Sequence, residues 1–515
     1  MLNKVTGGLS GMFAQKVEHP LLDSHEFHRV VSELPKDNAF KALDEIAGWL
    51  ESLLAAEDVS SDRAYPLIVQ LDDLARPHLK RLTREYLNTP RQARSEEKRL
   101  WSINSGVWQV LAMNYERCLR DMAEGGKQAD KNKSVLPALC SRLIGAQAAL
   151  MKWGQFHYGP TPGALWRQLG ATLLAAEAGG VDGKSVSLGG QGRVSSPVQE
   201  FQKVFVFQAA SLDSLLPHEI ELAERLIEYF LPQFVFSNNV THDCVYWVDL
   251  QLGQPPLRLA QMPKAASISQ RFFKPGPAHT EICRILGLLE QGKDMPAEIN
   301  LGGQYTAKIL IPVLRHLAAY LAPIPPQRKH DRHRVKHRMS VLNGLINAFV
   351  VFSGEFGGRP AGLQIESWVV ENVSRGGFGA ELANIAGEWL KVGVLIAMQP
   401  EGGDNWLLGV VRRYSRSTES EAHVGIETLG RHIVSVELKV RSASSYASAA
   451  GTPTLLILDS KQADEIRVVL PLASFDIRET LEYTQDGKRY LLAPIALLEQ
   501  TPEFELARYR QSLIA

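Results

Sequence analysis

Residues 328 to 338 read Arg-Lys-His-Asp-Arg-His-Arg-Val-Lys-His-Arg: six Lys/Arg, three His and one Asp, in a chain whose 56 Lys+Arg balance 56 Asp+Glu. Four of those arginines form two Arg-x-x-x-Arg pairs, Arg328/Arg332 and Arg334/Arg338. Like charges this close repel, so the pattern calls for an anion to offset them. A guanidinium is a planar fork of donors that matches phosphate oxygens, reads the O6/N7 edge of guanine bidentately and stacks on a purine. Downstream, Asn372 and Ser374 stand two apart and can point the same way from a tight loop. Gly376 and Gly377 remove side chains where a backbone must turn or a ligand must come close. Together these residues suit a small, doubly anionic, guanine-bearing molecule.

An Arg-x-x-x-Arg arm, a strand and then [Asp/Asn]-x-Ser-x-x-Gly resembles the PilZ domain, the bacterial receptor module for cyclic di-GMP. Asn372, Ser374 and Gly377 match the second element in full, about 34 residues beyond Arg338. Gly409-Val-Val-Arg412 and Val424-Gly-Ile-Glu427 look like the strands that close that family's barrel. The resemblance spans about residues 327–440. In the family the second arginine directly precedes the apolar residue that starts the first strand. Arg338 precedes Met339 and a strand candidate at Val341, so Arg334/Arg338 is the favoured pair; Arg328/Arg332 is a surplus pair that helps or competes. The resemblance implies cyclic di-GMP as a stacked dimer, held by Arg328, Arg332, Arg334, Arg338, Asn372, Ser374 and Gly377. It implies no cofactor, no metal and no catalytic residue.

The elements that must position these groups fall into blocks, and the fold class expected is multidomain α+β. Residues 1–180 read as a helical bundle or array, with Phe40, Leu43, Ile46, Leu50 and Leu54 forming one stripe and Pro77 breaking or kinking a later helix. Ala178 to Pro197, rich in Gly and Ser, reads as a mobile loop. Residues 198–322 read as mixed α and β, ending in a helix at Ile311 to Leu321 with Pro312 in its first turn. Residues 327–442 give a basic arm and six strand candidates, from Val341–Phe352 to Ile433–Val440, enough for a PilZ-like small antiparallel β-barrel. Residues 453–515 form a β-rich C-terminal segment, with a hairpin at Asp486-Gly487 and a terminal helix at Phe504 to Leu513.

Balanced charge argues against a protein that coats DNA or RNA with its whole surface. The four cysteines lack metal-type spacing and read as reduced buried thiols. Ala307 to Pro326 carries Lys308, Arg315 and His316, so no membrane span is expected. The opening Met-Leu-Asn-Lys-Val-Thr-Gly-Gly lacks the apolar core of a signal peptide, and the expected location is the cytoplasm. Gly377-Phe-Gly379 is too short for a dinucleotide loop, and Gly189-Gly-Gln-Gly192 is no P-loop. His242-Asp243-Cys244 points its neighbours to opposite strand faces.

The function expected is a bacterial signalling effector rather than an enzyme. Cyclic di-GMP would order the arm, reorient the helical part through the prolines after Leu321 and change contacts with a protein partner. The output would be motility, pili, adhesion or biofilm. Two other readings stay open: a structural adaptor with a degenerate barrel, and an enzyme sited in the middle region.

Overall fold

A computed structural model describes residues 19–89, 94–124, 133–189, 193–260, 266–326, 331–354, 364–383, 389–403, 405–418, 420–441, 451–459 and 464–514. The chain forms two compact units. The first holds residues 1–154, 161–210 and 221–325; the second holds 155–160, 211–220 and 326–515. A helical N-terminal region, two closed antiparallel barrels and a β-rich C-terminal segment make the molecule multidomain α+β.

The first unit is built on helices α1 (Ser24–Glu33), α2 (Ala39–Ala55), α3 (Ser61–Asn88), α4 (Arg94–Glu124), α5 (Leu136–Phe156), α6 (Gly163–Ala178), α7 (Pro197–Ala209), α8 (Pro217–Phe230), α9 (Gly276–Glu290) and α10 (Ala307–Tyr320). Asn38 caps α2 by accepting from the Lys41 amide at 3.1 Å. The buried Ala42, Leu43, Ile46, Leu50 and Leu53 follow the three-and-four spacing of its stripe. α3 runs unbroken through Pro66 and Pro77. Its buried Ile68, Leu71, Ala75, Leu79 and Leu82 carry packing across the second proline, and tertiary burial overrides the lost hydrogen bond. Likewise Pro312 lies inside α10, six residues into the helix rather than in its first turn.

The stretch expected to be a loop holds a short hairpin of β1 (Val186–Ser187) and β2 (Val194–Ser195). A four-stranded sheet, ordered β3 (Val235–Ser237), β6 (Gln270–Lys274), β4 (Tyr246–Asp249), β5 (Leu257–Arg258), occupies the mixed region.

A buried charge network ties α3, α4 and α5 together. The fully buried Asp72 accepts from Arg76, from Tyr115 at 2.8 Å and from Arg142 at 2.6 Å. Burial pushes the Asp72 carboxyl up, but Arg76, Arg142 and Tyr115 outweigh it and hold it below its ordinary value.

In the second unit, β7 (His333–Asn343), β8 (Glu366–Ser374), β9 (Gly377–Leu382), β10 (Leu395–Pro400), β11 (Leu407–Arg416) and β12 (Ala422–Gly430) close into a barrel ordered β10-β11-β12-β9-β8-β7. Met339, Trp368, Val370, Ile396, Val411 and Ile426 fill it. Short pieces of chain pack on it: Leu216 and Tyr158 join its core, and the Tyr158 carbonyl accepts from the Arg416 amide at 2.8 Å.

A second closed barrel follows: β13 (Ile433–Val440), β14 (Thr452–Ile457), β15 (Glu465–Pro471), β18 (Phe504–Ile514), β17 (Lys488–Gln500), β16 (Leu481–Gln485). Helix α11 (Leu345–Phe352) lies between β7 and β8 in sequence. Its Ala348 and Val351 share a core with Leu395 and Leu408 of the first barrel and Leu455 and Phe504 of the second.

Three expectations are corrected here. The strand expected at Val341–Phe352 is β7, which starts earlier at His333, followed by α11. Ile433–Val440 is not the sixth strand of the first barrel but the first of the second. The expected terminal helix at Phe504 to Leu513 is β18, paired on both sides with β15 and β17. Phe504 and Leu506 join the core shared by both barrels, while Ala507 and Tyr509 fill the interior of their own. With both faces of the strand buried, the period-two alternation that marks a strand is lost.

Candidate ligand-binding wall on the first barrel

The favoured arginines lie within β7 rather than on an arm before it. Arg334 and Arg338 are both exposed, and their neighbours Val335 and Met339 pack towards the barrel interior. The ladder pairs Arg334 with Asn372 and Arg338 with Val369, with a bulge between Arg334 and His337. Residues directly opposite on adjacent strands share a face, with Cβ atoms about 5 Å apart. Arg334 and Asn372 are therefore neighbours on the outer wall, although they lie far apart in sequence.

The row continues across the barrel. Asn372 pairs with Gly379 on β9, Gly379 with Gly425 on β12, and Gly425 with Arg413 on β11. Residues on either side of each glycine point inward: Ala380, Val424 and Ile426 are core, and Phe378 packs against it. A Cβ on Gly379 would stand 2.5 Å from Asn372 Nδ2, so the amide lies over bare backbone. A Cβ on Gly425 would stand 3.2 Å from the Arg413 Cβ, so the Arg413 stem lies over the next glycine. The result is a shallow floor of two glycines, with Asn372 and Arg334 on one side and Arg413 on the other. Arg413 is 47% exposed and lies 3.9 Å from Asp213.

Ser374 and Gly377 close the β8–β9 turn. The Ser374 hydroxyl donates to the Gly377 carbonyl at 3.3 Å, and the two residues pair across the hairpin. Gly377 is buried, and a Cβ there would meet the Ile426 carbonyl at 1.9 Å. Only glycine lets β12 approach β9 this closely, so Gly377 sets the shape of the wall from beneath. Arg338 is anchored by its backbone: its amide donates to Glu401 Oε2 at 3.3 Å and its carbonyl accepts from the Glu401 amide at 2.9 Å. This leaves its guanidinium on the exposed face. Arg332 is exposed just before β7, and Arg328 lies outside the described residues.

Arg412, part of the expected barrel-closing motif, stands at a β-bulge next to Arg413. It donates to Glu427 at 2.6 Å and forms a two-point contact with Glu499 of β17. Burial would lower its pKa, but Glu499 and Glu427 outweigh burial and raise it, so it is a fixed charge joining the barrels. Among the described residues no cluster of three or more His, Cys, Asp or Glu is placed to hold a metal ion.

Sequence reasoning missed Gly379, Gly425 and Arg413. Gly379 was weighed only as part of a dinucleotide loop and Gly425 only as a strand residue. Their common feature is register, which shows only once the strands are paired.

Comparison with known proteins bears on a different part of the chain. Residues 25–241 match the family described as cyclic-di-GMP receptor FimW, N-terminal domain. No curated protein and no solved structure matches the chain. Among the described residues no helix is long and apolar enough to cross a membrane.

Proposed function

We propose that the chain is a cyclic di-GMP receptor whose ligand sits on the outer wall of the first barrel. The observation that carries this reading is the register of Arg334 with Asn372, beside a floor of bare glycine backbone. Guanidinium groups of Arg334 and Arg338 would take phosphates and guanine edges, and Asn372 would hydrogen-bond a base or ribose. Gly379 and Gly425 would let a flat ring lie close to the sheet. The PilZ-type motif at Asn372, Ser374 and Gly377 supports the reading from the sequence. The receptor family matched at residues 25–241 supports it from a separate stretch of the chain.

In this reading Arg328 and Arg332 reach the same ligand from the connection that precedes β7. Ligand contact there would change the domain arrangement and the surface offered to a protein partner. The role is that of a binding effector rather than an enzyme, acting in the bacterial cytoplasm on pili, motility, adhesion or biofilm.

Calorimetric titration of the full chain with cyclic di-GMP tests the reading. Binding at micromolar Kd or tighter is expected, with GTP failing to displace it. Arg334→Ala/Arg338→Ala should abolish binding, and Arg328→Ala/Arg332→Ala should weaken it. Unchanged affinity in the Arg334→Ala/Arg338→Ala variant would sink the proposed wall.

A further inference from the structure

The first unit contains a cavity of about 550 Å³ that the barrel reading does not use. Its size lies in the range of small-molecule sites. One face of α3 lines it, with Arg76, Lys80, Thr83, Arg84 and Leu87 recurring at helical spacing. Glu221, Glu224, Arg225 and Glu228 of α8 line it too, along with Lys152 and the turn at Asn300 to Gly302. Trp108 and Tyr229 add flat apolar surface to the walls.

Its charges do not balance. Each of its three carboxylates is already engaged by a cation. Lys152 lies 2.8 Å from Glu221 and 2.6 Å from Glu224; Arg225 holds Glu221 at 2.8 Å; Arg193 lies 3.3 Å from Glu228. Arg193 is also 2.8 Å from the buried Glu200, and Arg76 is bound to Asp72 from behind the wall. Two lining cations remain, Lys80 and Arg84, one turn apart on α3 and exposed at the cavity surface. Neither forms an ion pair among the described residues. The neighbouring Arg81, by contrast, is paired with Glu85 at 3.1 Å.

A cavity with its acids spent and two cations left over favours an anion of high charge density. The ion-paired Lys152, Arg193 and Arg225 keep the surrounding charges fixed, so an incoming anion meets a site that is already organised. We propose that this cavity binds a compact phosphate-rich ligand, of the class of nucleoside di- and triphosphates, gripped by Lys80 and Arg84. This site is separate from the barrel wall, and its test does not depend on that reading.

Pyrophosphate and GTP, titrated separately into the full chain by calorimetry, are the probes. Both are expected to bind saturably at one site, more weakly as salt rises. Lys80→Ala/Arg84→Ala should weaken binding by about tenfold or more, since two charge-assisted contacts are lost. Arg81→Ala, on the same helix, and Arg334→Ala/Arg338→Ala, on the barrel, should leave it unchanged. Cyclic di-GMP is the control that keeps the two sites apart: its binding should be unchanged in Lys80→Ala/Arg84→Ala, and its loss there would overturn the separation of this cavity from the barrel wall. Absence of saturable binding by both pyrophosphate and GTP would overturn the proposal, as would equal affinity of these probes for the wild type and the Lys80→Ala/Arg84→Ala variant. Matching melting curves for the two proteins make that comparison valid.

Discussion

The side-chain amide of Asn372 lies directly over Gly379, where a Cβ would stand 2.5 Å from Nδ2 and 2.6 Å from Oδ1. The amide's orientation thus depends on a missing methyl group one strand away. Gly379→Ala should turn Asn372 off the wall and weaken cyclic di-GMP binding by about tenfold, the loss of roughly one good hydrogen bond to a charged or polar group. Because the new methyl faces outward, the melting temperature should move little. Calorimetry paired with thermal unfolding checks this, and full affinity in the variant would show that Asn372 makes no ligand contact.

Asp72 is fully buried and neutralises Arg76 and Arg142, the latter only 4% exposed. Removing it takes from Arg76 its carboxylate partner and leaves the buried Arg142 with Asp73 at 2.9 Å. Asp72→Ala should cost about 3–5 kcal/mol in urea unfolding of the first unit. Arg29→Ala, which breaks solvent-exposed pairs with Glu26 and Glu33, should cost far less. Equal losses would mean that the buried network contributes no more than a surface pair.

Acid should act on the first unit through Glu221. Burial pushes its carboxyl up, but Lys152 and Arg225 overcome this and draw it down to about 2, from an ordinary 4.5. A carboxylate depressed in the folded state stabilises fully above its unfolded pKa. That contribution fades as pH falls from 4.5 towards about 2. Unfolding free energy measured across this window should drop, and Glu221→Gln should flatten that part of the curve while lowering stability at neutral pH. A wild-type profile identical to that of the variant would remove Glu221 from the acid response.

Thiol chemistry separates the four cysteines. Cys283 is exposed, whereas Cys118, Cys140 and Cys244 are buried. Burial pushes the Cys118 thiol up to about 11 and the Cys140 thiol to about 12, further suppressing the reactive thiolate. A disulfide-exchange dye added to native protein should report one fast thiol, lost in Cys283→Ser, and all four after denaturation. A second fast thiol in the native protein would contradict the burial of Cys118, Cys140 or Cys244.

Much of this architecture was legible in the sequence because its signals were periodic. The α2 stripe and the Asp486-Gly487 hairpin appear where local pattern placed them; Asp486 and Gly487 adopt φ of 49° and 75°. What local pattern could not carry was the partner of each strand. β18 looks helical because apolar residues fill both of its faces, and β13 looks like the end of the first barrel because only two residues, Arg431 and His432, separate it from β12. The candidate wall was half legible: the motif gave Asn372, Ser374 and Gly377, while Gly379, Gly425 and Arg413 join it only through register. The cavity was illegible, since its cations and carboxylates look like ordinary solvated helix faces until α3 and α8 are set side by side.

Each ring of six strands closes on itself, so that every strand has a neighbour on both sides. A partner chain therefore meets no free edge strand on either ring, the usual template for strand addition. Among the described residues, edge strands belong instead to the first unit: β3 and β5 of its four-stranded sheet and both strands of the short β1–β2 hairpin.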